Sequence, residues 1–186
     1  MASNGNPVPP PPVTLVIFGG GGDLTHRKLL PALYNLHIDG LLPAAFAVVG
    51  VGRKDQSDEQ YRTFAKDGVQ QFSRRPLDEQ KWSAFAEALF FVNAAIDSPQ
   101  GMAGLGARLD TIEHDRGLPG NRIYYLAVPP TLFVPTVQQL ARARFVGPPE
   151  QQTLSRMMLE KPIGRDLASA MDINNAIAAV FDERQM

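Results

Sequence analysis

The sequence predicts a doubly wound α/β fold, Rossmann-like, with a mostly parallel sheet and helices on both faces. Three observations carry this. Short β-rich runs alternate with helical stretches of about 10–15 residues, the pattern of β-α-β units. The first such run, Val13–Phe18 (VTLVIF), has the look of a strand buried on both faces. It leads directly into four glycines, Gly19–Gly22, placed before a helical stretch.

The elements follow in order. Residues 1–12 (MASNGNPVPPPP) are expected to be a disordered Pro-rich tail, because the proline run favours extended polyproline II and cannot pair as a central strand. Residues 13–186 are expected to form one domain. A helix is predicted from Asp23 to about Ile38, with Leu29, Leu33 and Leu36 on one face, a kink at Pro31 and a stop at Gly40. Residues 45–51 read as the second strand. Helices are predicted over 57–72 and 78–89, broken at Pro76, with Asp78 capping the second. Phe90–Asn93 reads as a strand, 98–115 as a Gly-rich helix, and Arg122–Val128 as a strand. Thr131–Arg144 reads as a helix and Leu154–Glu160 as a strand. Asp166–Phe181 reads as a helix capped by Asp166, with Leu167, Met171 and Ile177 directed inward.

Composition narrows the function. The chain has 186 residues with 18 Lys+Arg against 19 Asp+Glu, so neither nucleic acid nor an anionic membrane has an electrostatic claim on it. It contains no Cys, which excludes disulfides and thiolate chemistry and fits a cytoplasmic protein. His26, His37 and His114 have no ligand spacing, so no metal site is expected. The uncharged stretch 40–52 is too short and too broken by Gly and Pro to span a bilayer.

The glycine loop is the first motif with a mechanism. A tight turn needs tolerance of positive φ, and a pyrophosphate can approach only where Cβ atoms are missing. The free N–H groups and dipole of the following helix then hold the anion. Gly19, Gly20, Gly21, Gly22, Asp23 and Leu24 are therefore candidate cofactor-binding residues, although Leu24 stands where G-x-G-x-x-G would have its third small residue. The P-loop pattern is absent, because Asp23 and not Lys follows Gly22. At the end of the second strand an acidic residue would select NAD and a cation NADP. Here Arg53 and Lys54 precede the first acid, Asp55, which points to NADP. Two further strand ends carry chemistry: Ala127-Val128-Pro129-Pro130 and Glu160-Lys161-Pro162-Ile163-Gly164-Arg165-Asp166. A short-chain reductase is excluded. Its Tyr-x-x-x-Lys is missing, since Ile38, Ala65, Val128 and Pro129 occupy the fourth position after the four tyrosines.

Four segments, FGGGGDLTHRK (18–28), VGVGR (49–53), RIYYLAVPPT (122–131) and LEKPIGRDL (159–167), occur together and in order. On these the chain resembles the N-terminal, NADP-binding part of glucose-6-phosphate dehydrogenases, over roughly residues 13–185. The resemblance implies that Gly19–Asp23 and its neighbours to Arg27 cradle the pyrophosphate and ribose, and that Arg53 contacts the 2′-phosphate. It implies that Lys161 touches both cofactor and sugar phosphate, that Pro162 shapes their placement, and that Ala127–Pro130 lines the nicotinamide pocket. Gly20 and Gly21 stand where the family usually has Ala and Ser, leaving only backbone donors. Val51 replaces an aromatic, and Phe133 replaces a Tyr that contacts cofactor in some members. The family segment R-I-D-H-Y-L-G-K-E, whose His is the general base, is expected to begin about where this chain stops. The resemblance therefore implies that this chain carries no catalytic residue and is inactive alone. The implied partners are NADP and glucose 6-phosphate, with homo-oligomers formed through the second domain. A stand-alone NADP-binding or regulatory module is the alternative reading.

Overall fold

The uncharged runs become the centre of a five-stranded sheet. The structure, a computed structural model, describes residues 10–146 and 154–186. Strands β1 (Val13–Phe18), β2 (Phe46–Gly52), β3 (Leu89–Asn93), β4 (Arg122–Leu126) and β5 (Ser155–Leu159) lie in the order β3-β2-β1-β4-β5. Every neighbouring pair is parallel. The chain moves outward from β1 through β2 to β3, then returns to lay β4 and β5 on the other side. Right-handed crossovers in opposite directions place helices on opposite faces.

Helices α1 (Leu30–Ile38), α2 (Asp58–Phe72) and α3 (Glu79–Ala86) cover one face through Leu30, Tyr34, Tyr61, Ala65, Val69, Trp82 and Phe85. Helices α4 (Pro99–Asp115), α5 (Phe133–Arg142) and α6 (Leu167–Ala178) cover the other through Met102, Leu105, Leu109, Val137, Leu140, Ile173 and Ile177. Each such large side chain contributes about 1.5–3 kcal/mol by leaving water. Residues 13–18 alternate between the two cores, with Val16 and Phe18 in one and Ile17 in the other. This explains why the run is uncharged and, Thr14 apart, apolar.

Polar groups complete the frame. Buried Asn121 accepts from the Leu154 amide at 2.8 Å and donates to the Pro12 carbonyl at 3.0 Å, joining the lower ends of β1, β4 and β5. Arg122 makes a two-pronged pair with buried Glu113 at 2.7 and 2.8 Å, tying β4 to α4. Ser57, Asp78 and Asp166 cap α2, α3 and α6.

Helix ends shift by a few residues, with Leu89 joining β3 and α5 opening as a 3-10 turn, and two helices differ by more than that. The first widens at once into a π-helical turn, Thr25–Leu29, before α1. In it the Leu30 amide bonds back to the Thr25 carbonyl, so the wider turn ends one residue before Pro31, which brings no N–H. In α6 the predicted inward face is wrong at two of three positions. Leu167 and Met171 are 77% and 55% exposed, and Ile173 joins Ile177 in the core. The reason is angular: at about 100° per residue, residue 177 lies about 240° round the helix from residue 171, whereas 173 and 177 share a face.

Leu29, Leu33 and Leu36 do share a face, but it borders the half of the sheet that α1–α3 leave uncovered. With Leu15, Tyr125 and Met158 they line an apolar groove of about 610 Å³. Among the described residues no helix is long and apolar enough to cross a membrane.

His37 on α1 packs against Phe85 and Phe46 at ring distances of 5.5 and 6.1 Å. Burial, then the Lys81 charge, pushes its pKa below the ordinary 6.5. Folding thus favours the neutral ring, and the stability it supports is lost as pH falls through 6.5 toward the lower folded value. Thermal unfolding temperature is expected to drop between about pH 7.5 and pH 5.5, and His37→Gln to flatten that drop. An unchanged slope in the variant would clear His37 as the cause.

Candidate functional site

Because all strands are parallel, the ends of β1, β2, β4 and β5 that carry the motifs lie at one end of the sheet. The glycine loop occupies its middle. Gly19 has φ +88°, and a Cβ there would lie 2.3 Å from the Ala127 carbonyl oxygen. The amides of Gly19 and Gly20 both donate to Val51 O, at 2.9 and 3.0 Å. Gly22 N–H closes a turn onto Gly19 O at 2.9 Å, and the buried Thr25 hydroxyl donates to the same oxygen at 3.0 Å. The Gly21 amide has no partner among the described residues. A Cβ on Gly21 would meet only Lys54 Cδ at 3.7 Å and Phe91 Cε2 at 3.8 Å. The loop thus bonds down to β2, rests on β4 and leaves an open, donor-bearing crest at a helix start. That is the environment an anionic group needs.

The loop is supported by glycines outside the motif. A Cβ on Gly20 would lie 2.3 Å from Gly50 Cα, and one on Gly50 would lie 2.6 Å from the Tyr61 ring. Burial pushes the Tyr61 hydroxyl pKa up, so it stays protonated against Gly50. A Cβ on Gly68 of α2 would lie 2.4 Å from the His26 carbonyl oxygen. Gly68 therefore lets α2 approach the π-helical turn, where His26 Nε2 also meets Asp67 Oδ2 at 2.8 Å. Close packing of helix on loop, which the usual third glycine provides, is here supplied partly from α2.

The candidate cations sit beside the crest. Arg53 and Lys54 are exposed at the end of β2 and form no ion pair among the described residues. Asp23 is exposed and lies 3.7 Å from Arg27, a contact worth little in water. Leu24 is half-buried.

At the end of β4, Ala127 N–H donates to Phe18 O at 2.9 Å, so Ala127 lies directly against Gly19. Pro129 is exposed, and Pro130 opens a short 3-10 turn. At the end of β5, Lys161 is exposed and the Lys161–Pro162 peptide is cis. Gly164 has φ +82°, and a Cβ there would lie 2.6 Å from Ala170 N. The amides of Arg165 and Asp166 donate to Ser169 Oγ, which folds this turn onto the start of α6. Hydrogen bonds from the Ser169 amide and hydroxyl hold the Asp166 carboxyl pKa below its ordinary value. One pairing was not legible in sequence: the Tyr125 hydroxyl on β4 donates to the Glu160 carboxylate beside Lys161. Burial, then this contact, raises the Tyr125 pKa, keeping it a donor.

A five-stranded parallel sheet in this order, with a glycine turn at the central strand end, defines a dinucleotide-binding domain of the doubly wound class. Comparison with known proteins makes the assignment particular. The family model "Glucose-6-phosphate dehydrogenase, NAD binding domain" matches residues 16–186. Glucose-6-phosphate 1-dehydrogenase 2 of Mycobacterium tuberculosis (strain ATCC 25618 / H37Rv) is 39% identical over 162 residues, covering 87% of this chain and 31% of its own. Glucose-6-phosphate 1-dehydrogenase of Mycolicibacterium smegmatis is 40% identical over 186 residues, covering 98% of this chain and 36% of its own. The crystal structure of the Mycobacterium avium enzyme superposes with a TM-score of 0.78 at 30% identity, covering 94% of this chain and 35% of that one. The chain belongs to the glucose-6-phosphate dehydrogenase family and is its NAD(P)-binding N-terminal domain. It spans about a third of the length of the curated relatives it matches.

Proposed function

We propose that this chain binds NADP as the cofactor domain of an enzyme that oxidises glucose 6-phosphate to 6-phosphogluconolactone, the entry step of the pentose phosphate pathway. When bound, NADP supplies the hydride acceptor. The chain's own residues bind and orient. The amides of the Gly19–Gly22 loop and the helix start at Asp23 and Leu24 hold the pyrophosphate. Arg53, whose planar fork suits a phosphate, pairs with the 2′-phosphate, and Lys54, whose stem runs beside Gly21, adds a point charge on the pyrophosphate side. Ala127 and Pro129 line the nicotinamide side. Lys161 reaches cofactor and sugar phosphate, with Pro162 shaping that corner and Tyr125 restraining neighbouring Glu160.

The observation that carries this reading is the loop itself: Gly19 turned against Ala127, and the Gly21 amide without a partner at an open crest. The family match supports the choice of substrate. No residue of this chain takes the sugar proton in this reading. The chain alone is expected to bind NADP without turnover, and sugar binding and oligomer formation belong to the longer protein, a cytoplasmic one.

Titration of the chain with NADP and NAD, read as a shift in unfolding temperature, tests the reading. A rise with NADP at concentrations where NAD has little effect is expected. The absence of a shift with either dinucleotide would overturn cofactor binding. Growth of NADPH absorbance on adding glucose 6-phosphate to this chain alone would overturn the division of labour.

A further inference from the structure

Strand β3 is one edge of the sheet, and two of its outward backbone groups are met by side chains. Ala88 O accepts from Val48 N–H and Ala94 N–H donates to Gly52 O, so even-numbered residues bond to β2. Leu89, Phe91 and Asn93 therefore turn their N–H and C=O groups away from the sheet. Arg62 Nε of α2 donates to Leu89 O at 3.3 Å, and Asp58 Oδ1, one turn earlier, accepts from the Phe91 amide at 2.8 Å. The other Asp58 oxygen takes Arg108 Nη2 at 2.8 Å. Arg108 comes from α4, on the opposite face, so this ion pair closes over the strand from both layers. Just beyond α4, Arg116 covers the carbonyls of Phe46 and Glu87 at 3.1 and 2.9 Å, just below the start of β3. The guanidinium carbons of Arg62, Arg108 and Arg116 all lie 5.8–6.0 Å from the centroid of the Phe90 ring. Among the described residues no side chain meets the outward backbone of β5 in this way.

We propose that Asp58, Arg62, Arg108 and Arg116 form a clasp that closes the β3 edge to strand addition by a second copy of this chain. An open strand edge is a template for pairing, and two features here oppose it. Two of the groups a second strand would bond, Leu89 O and the Phe91 amide, are already engaged, and three guanidinium groups would face their own copies across a two-fold axis. The inference is independent of cofactor binding.

The test compares the wild-type chain with Asp58→Ala/Arg62→Ala by analytical ultracentrifugation over rising concentration. Self-association is expected to tighten by about tenfold or more, on the scale of one or two backbone hydrogen bonds gained. Hydrogen exchange at Leu89–Asn93 should slow as concentration rises. Asn93→Pro added to the double variant should return association to the wild-type level, because it removes an outward N–H and leaves every bond to β2 intact. Arg62→Ala alone removes one cap and no ion pair, and gives the same readout if the double variant fails to fold. A folded variant that associates no more than wild type overturns the proposal, as does association that Asn93→Pro does not reverse. A role in stability alone would lower the unfolding temperature without moving either measurement.

Discussion

Gly19→Ala is expected to lower stability by about 2–5 kcal/mol and to abolish measurable NADP binding. Two independent costs combine. Alanine in the left-handed region is strained by about 1–2 kcal/mol. Its Cβ would also stand 2.3 Å from the Ala127 carbonyl oxygen, which is backbone and cannot rotate away. Displacing β4 or the loop to make room is overpacking, at about 1–3 kcal/mol. The loop's two bonds to Val51 O and the Thr25 bond to Gly19 O depend on that turn, so the crest would move as well. Gly21→Ala is the internal control. Its Cβ would be in ordinary contact at 3.7 and 3.8 Å, and stability should stay within about 0.5 kcal/mol of wild type. Denaturant unfolding of both variants, followed by NADP titration of each, checks the pair. Equal losses at Gly19 and Gly21 would mean that the loop is a connector without a set geometry.

The contrast between these two glycines shows what a one-dimensional reading holds and what it lacks. Four glycines after an apolar strand announce a phosphate-type turn, and the strand–helix alternation announces the sheet around it, because both signals are local. Which glycine the fold demands is decided by Ala127, more than a hundred residues away in sequence. Gly50 and Gly68 carry no motif, yet they seat Gly20 and the His26 turn, since their partners come together only when β2 and α2 are packed. Tyr125 and Glu160 meet because β4 and β5 are neighbours in register, with Leu126 opposite Leu159. In α6, Leu167 and Met171 stand one turn apart on the exposed side while Ile173 and Ile177 share the covered one, so the inward face follows the angular spacing and not apolarity alone. Lys161, in contrast, was legible as a strand-end residue: parallel pairing of β4 with β5 puts it at the motif-bearing end of the sheet.

Arg53→Ala is expected to weaken NADP binding by about ten- to a hundredfold while leaving NAD binding nearly unchanged. The 2′-phosphate is the only group that distinguishes the two ligands, so a residue that pairs with it affects one affinity alone. A hydrogen bond to a charged group is worth about 1.5–3 kcal/mol, and 1.4 kcal/mol is a factor of ten. Arg53 is free to make that pair. It is exposed at the end of β2 and has no carboxylate partner among the described residues, so no existing ion pair must break first. Arg53→Lys should recover only part of the loss, since an ammonium keeps the charge but cannot present two parallel donors. Lys54→Ala should cost less than Arg53→Ala, because the Lys54 stem runs beside Gly21, toward the crest proposed to hold the pyrophosphate of either dinucleotide. Its loss should therefore reduce the two affinities together. Calorimetric titration of each variant with both dinucleotides gives the ratio directly. If Arg53→Ala lowers NAD and NADP affinity by the same factor, the residue is a general anion contact and NADP selection lies elsewhere. The ratio should also shrink as salt is raised, because an exposed pair is screened within a Debye length of about 10 Å at 0.1 M.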